Sequence, residues 1–124
     1  MKSLVFGFLA LLSSSSLFSQ PVATPVDSLF IVTFTTGPSW DSKKGPGEQI
    51  HFKEHSANLG AWRKEGIIRF GARYADKGII IIGSASMAAA SKLIQNDLGV
   101  SSGLFAADIQ KLSPFYFGCI EKPK

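Results

Sequence analysis

Cysteine is all but absent from this chain. Cys119 is the only one, so no disulfide can form within a single molecule. A chain of this kind must stand on packing, alone or helped by association. No neighbouring motif stabilises a thiolate at Cys119, which reads as a buried or incidental thiol, with an intermolecular disulfide as the lesser alternative. Stripes of one charge are missing too. Lysine and arginine number 13 against 9 aspartates and glutamates, a net charge of +4, but Lys43-Lys44 and Arg63-Lys64 are the adjacent pairs and the aromatics do not interleave with them. That pattern is a solvated surface and argues against a nucleic-acid partner. Histidine occurs twice, as His51 and His55, and no compact group of further metal ligands surrounds them. No cofactor or metal is expected.

Long apolar runs are also lacking. The most continuous, Leu4 to Leu12, is too short to span a bilayer. Lys2 precedes it and the serine-rich stretch Ser13 to Ser16 follows, leading to Leu17-Phe18-Ser19-Gln20. This is the layout of a secretory signal, residues 1–19, cleaved between Ser19 and Gln20. The expectation is a secreted or periplasmic protein with no stable membrane anchor. Cleavage leaves about 105 residues, enough for one domain with a modest core.

Phenylalanine, by contrast, is abundant at 10 residues, and several sit in β-branched runs. Residues 20–28 read as a linker, and residues 29–121 as the domain. Leu29 to Thr36 has strand composition. Gly37 to Gly47, rich in glycine, proline and lysine, is longer than most connections and is a candidate functional loop. Glu48 to Glu65 reads as the main helix, with Phe52, His55, Leu59 and Trp62 on one face and Gly66 as its stop. Ile67 to Tyr74 and Ile79 to Ile82 read as strands around an Ala75-Asp76-Lys77-Gly78 turn. Ser86 caps a second helix to about Asn96, Asp97 to Gly103 is a turn region, and Leu104 to Leu112 is the last strand. The aromatic tail Pro114-Phe115-Tyr116-Phe117-Gly118 is expected to pack back onto the domain.

The order β-α-β-β-α-β is that of a ferredoxin-like α+β domain, a four-stranded antiparallel sheet with two helices on one face. The strands are apolar on both sides, Phe30, Val32 and Phe34 against Ile31, and Ile79 to Ile82 without a break. Burying the second face by pairing two sheets predicts a homodimer.

His55 invites more than one reading. An imidazole exchanges protons near neutral pH. It can be an inert, hydrogen-bonded histidine of the helix face. It can share a metal ion with His51, four residues earlier, although His51-Phe52-Lys53-Glu54-His55 lacks the zinc-protease arrangement. Or it can pair with a carboxylate that fixes its tautomer and makes the other nitrogen a better base. Asp97 is the best candidate, because it closes the second helix, where the helix dipole disfavours a negative charge without a partner.

Gly37-Pro38-Ser39-Trp40-Asp41, Glu54-His55-Ser56-Ala57-Asn58-Leu59, Glu65-Gly66, and Asp97 with Ser102-Gly103-Leu104-Phe105 together resemble the YCII-related (YciI-like) family over residues 29 to 121. The resemblance implies a ferredoxin-like fold, a dimer of the dimeric α+β barrel kind, and a His-Asp active site falling on His55 and Asp97. The family is mostly of unknown activity. It is similar to muconolactone isomerases in fold, and one branch contains a dehydrochlorinase acting on a chlorinated hydroxyquinol. The function expected is therefore a small-molecule lyase or isomerase, with Trp40, Arg73 and Tyr116 lining the substrate pocket and Arg73 holding an anionic substrate. A non-catalytic small-ligand-binding module of the same fold is the alternative, and a structural assembly protein the third.

Overall fold

The computed structural model describes residues 27–118. The expected signal segment 1–19 with its expected cleavage site, most of the expected 20–28 linker, and Cys119 lie outside them. The elements run β1 (Ser28–Thr36), α1 (Phe52–Lys64), β2 (Ile68–Tyr74), β3 (Lys77–Ser84), α2 (Met87–Gln95), a one-turn α3 (Leu98–Ser101) and β4 (Phe105–Leu112). The strands form one antiparallel sheet in the order β2-β3-β1-β4. Helices pack on it, as the ferredoxin-like reading of the sequence requires.

Strand alternation decides which side chains meet the helices. Phe30, Val32 and Phe34 of β1 are buried, and their register partners on β3 are Ile82, Ile80 and Gly78. Ile68 of β2, Trp62 of α1, and Ala90 and Ile94 of α2 complete the core. α2 begins at Ser86, whose side chain accepts a hydrogen bond from the Ala89 amide at 3.0 Å, the expected cap. Opposite the helices, Leu29, Ile31 and Ile81 stay only half-buried.

Four details depart from the sequence reading. β1 starts at Ser28, one residue inside the expected linker. The main helix starts at Phe52 rather than Glu48, because Pro46–Glu48 forms a separate 3-10 turn and His51 takes a left-handed φ of 70°. The Asp97 to Gly103 turn region contains the helical turn α3. The aromatic tail borders a cavity on the far side of the sheet without being buried there: Phe115, Tyr116 and Phe117 are 84 to 87% exposed.

Candidate active site

α1 and α3 hold the site between them. His55 lies on the first turn-and-a-half of α1, facing the sheet, and is buried. Asp97 caps α3 from an extended backbone, its Oδ2 accepting from the Val100 amide at 3.2 Å. This corrects the placement expected from sequence. α2 already ends at Gln95, so Asp97 stands at the beginning of a new helical turn, the end at which a dipole favours a carboxylate.

The two side chains meet. His55 Nδ1 lies 2.6 Å from Asp97 Oδ2, with the carboxylate only 1% exposed and the ring 7%. Asn58, one helical turn beyond His55, donates from Nδ2 to the other oxygen, Oδ1, at 2.8 Å. Burial pushes the Asp97 carboxyl up. The hydrogen bonds from His55 and Asn58, the attraction of a charged His55 ring and the Val100 amide outweigh it, so the group lies below its ordinary value. An ionised Asp97 only accepts, which requires His55 to donate from Nδ1. The neutral ring then carries its lone pair on Nε2, which has no protein partner among the described residues.

Close packing sets the ring orientation. Gly99 passes so near His55 that a Cβ there would lie 2.8 Å from the histidine Cβ, Cγ and Nδ1. Phe34 meets the ring edge-on at 5.3 Å between centroids, and Phe105 lies tilted at 4.7 Å. The imidazole is therefore clamped between a backbone on one side and two aromatic rings on the others.

His55 opens onto a cavity of about 280 Å³, walled by Phe34, Phe52, Leu59 and Phe105 and including Ser56 and Arg73. A neighbouring cavity of about 260 Å³ shares Phe34, Phe52, Arg73 and Phe105 and adds Trp40. Trp40 reaches it through the loop after β1. The Gly37 amide donates to the Leu104 carbonyl at 2.8 Å and the Ser39 amide to the Gly103 carbonyl at 2.9 Å, which seats the Trp40 ring 5.7 Å from Phe105. Gln49, buried, fastens the rest of the loop: it accepts from the Asp41 amide and donates to the carbonyls of Asp41 and Lys44.

Arg73 arrives by a β-bulge. Ile68 pairs with Ile82, but the register then shifts so that Phe70 faces Ile81, Gly71 faces Ile80 and Arg73 faces Gly78. Strict alternation from Ile68 would leave Arg73 on the opposite face of the sheet. The extra residue turns it onto the helix side, beside the cavity. Arg73 forms no salt bridge among the described residues.

The structure thus brings together His55, Asp97, Arg73 and Trp40. It sets Tyr116 apart, in a different cavity with Phe70 and Ile81 on the far side of the sheet. His51 is apart as well. It precedes α1 and lines a further cavity with Ser39, Ile50, Ser102 and Leu104, so it does not share a helix face with His55. Asn58, Gln49 and Gly99 were missed in the sequence. Asn58 had a legible signal, its position three residues after His55 on one helix. The other two had none, since their partners are set by tertiary packing.

No protein-family model and no curated protein matches this chain.

Proposed function

We propose that this chain is an exported small-molecule lyase or isomerase of the YCII-like kind, in which His55 is the general base and Asp97 orients it. The observation that carries the reading is the buried His55–Asp97 hydrogen bond at 2.6 Å beside an open cavity. In the proposed reaction Nε2 takes a proton from a substrate carbon or hydroxyl. The imidazolium so formed is held by the Asp97 carboxylate. A lyase returns the proton to the departing group, whereas an isomerase returns it to a different substrate atom. Arg73 binds an anionic substituent and Trp40 covers the neighbouring cavity.

The proposed molecule is a homodimer. Leu29, Ile31 and Ile81 support this, because a partner's sheet would finish burying them. Export is proposed from the pattern of residues 1–19.

Proton abstraction can be tested before the net reaction is known. The protein is incubated in deuterium oxide with a panel of small carbon acids, and mass spectrometry reads deuterium incorporation. The reading expects exchange into at least one substrate class, abolished in His55→Asn. Ligands that bind without any exchange, equally in both proteins, would favour the binding module instead.

A further inference from the structure

Two glycines form part of the cavity floor without a backbone reason to be glycine. Gly71 lies on β2 opposite Ile80, Gly78 lies on β3 between Arg73 of β2 and Phe34 of β1, and the register puts both glycines on the helix side. Neither has a left-handed φ. Neither is crowded: a Cβ at Gly71 would meet its nearest neighbour, the Ile80 side chain, at 3.7 Å, and one at Gly78 would lie 3.9 Å from Phe34. These are ordinary contact distances. Glycine inside a strand weakens it, and a residue of almost any size would restore contacts. The same two positions line the cavity that holds His55 and Arg73. What the glycines provide is a bare, flat stretch of sheet under the ligand space.

We infer that Gly71 and Gly78 shape the site for a small, flat, conjugated monoanion, which lies against the bare sheet with its anionic group on Arg73 and its acidic atom toward His55 Nε2. The inference rests on the reading of this cavity as the substrate site and adds the class of substrate. The floor is glycine backbone and the walls are the rings of Phe34, Phe52 and Phe105, a slot that favours a planar body over a puckered one. The cation lining it is Arg73, whose planar fork matches a carboxylate or an enolate oxygen pair. Arg73 pairs with Gly78, and Gly78 with Phe34, so Arg73 and Phe34 stand two strand spacings apart, about 9.5 Å between backbones. A ligand joining the two ends is therefore compact. The cavity volume of about 280 Å³ lies just under the usual range for ligand sites.

The test is calorimetric binding of benzoate, cyclohexanecarboxylate and benzamide to the purified protein. The three are matched in size and differ in flatness and charge. The inference expects benzoate to bind at least about tenfold more tightly than either of the others. Arg73→Gln should weaken benzoate by about ten- to a hundredfold. Gly71→Val should abolish binding while raising the melting temperature by roughly 2–8 °C, because it fills the cavity and stiffens the strand. Gly71→Ala, a smaller change, should weaken binding with a smaller gain in stability. Benzoate and cyclohexanecarboxylate binding alike, an affinity unchanged in Arg73→Gln, or undiminished binding in Gly71→Val would overturn the inference, as would no binding by any of the three. Exchange intact with this pattern absent sinks the ligand class alone. The pattern intact with no exchange sinks the proton chemistry alone.

Discussion

Replacing Gly99 with alanine sets two effects of opposite sign against each other. Gly99 lies within α3 and its φ is not left-handed, so on propensity alone alanine should stabilise by about 0.5–1 kcal/mol. The added Cβ, however, falls 2.8 Å from three atoms of His55, where 3.4 Å is the near edge of ordinary contact. The shortfall is at least about 0.6 Å. It cannot be relieved by a flexible tip, because the atoms met are the root of the side chain, and Phe34 and Phe105 occupy the space behind the ring. Overpacking of this sort costs about 1–3 kcal/mol. If the ring moves enough to break its bond to Asp97, the loss of a buried charged partner adds about 3–5 kcal/mol. The net expectation is a loss of about 0–2.5 kcal/mol if the bond to Asp97 survives, and of about 3–7 kcal/mol, a drop of at least about 12 °C in melting temperature for a domain of this size, if it breaks. Gly60, exposed on α1 with nothing near its absent Cβ, is the matched control, and Gly60→Ala should stabilise by about 0.5–1 kcal/mol. Urea unfolding of both variants reads the difference. A Gly99→Ala protein as stable as the parent, with the His55 nitrogen resonances unmoved, would refute the claim that close packing at Gly99 positions the ring.

Further outcomes follow from the same contacts. Asp97 has a carboxyl lowered in the folded state, so the unfolded chain binds more protons in acid. The stability it contributes is present above the unfolded carboxyl value and is lost as pH falls through the folded one. The stability gap between the parent and Asp97→Asn, measured by denaturant unfolding, should therefore shrink from pH 7 to below about pH 4. A gap that widens in acid contradicts the assignment. Asn58→Ala leaves Oδ1 of a buried carboxylate without its side-chain donor and should cost about 1–3 kcal/mol in the same assay. Gln49→Ala removes the tie on residues 41 to 49 and should speed tryptic cleavage at Lys43 and Lys44, with the rest of the domain still resistant. Ile81→Lys places a charge on the half-buried outer face of the sheet and should convert a dimer to monomers in sedimentation. A parent chain already monomeric at micromolar concentration would refute the dimer.

The strands and the helix face of α1 were legible because burial imposes a period: Phe30, Val32 and Phe34 repeat every second residue, and His55, Leu59 and Trp62 at helical steps. Helix ends were less so. Nothing in Gln49-Ile50-His51 announces a left-handed residue, and a glutamate-led run looked like helix from Glu48 onward. The contact between Asp97 and His55 is present, on grounds other than those the sequence offers. The sequence places Asp97 at the close of α2, whereas a short α3 makes it an opening residue, and four-residue helices leave little periodic signal. Arg73 shows the deepest limit. Its face depends on a bulge between Ile68 and Phe70, and a bulge belongs to a pair of strands, not to either sequence alone. Tyr116 failed as a neighbour of His55 because a tail's direction is set by contacts that the aromatic run did not reveal.

Asp97 fixes the proton of neutral His55 on Nδ1 and leaves Nε2 bare toward the cavity. Two-bond nitrogen–proton correlation NMR of the imidazole reads this directly, with His51→Gln removing the other histidine. The account predicts that neutral His55 has a protonated Nδ1 and an unprotonated Nε2, and that Asp97→Asn erases this preference. A parent protein in which neutral His55 carries its proton on Nε2 would contradict it.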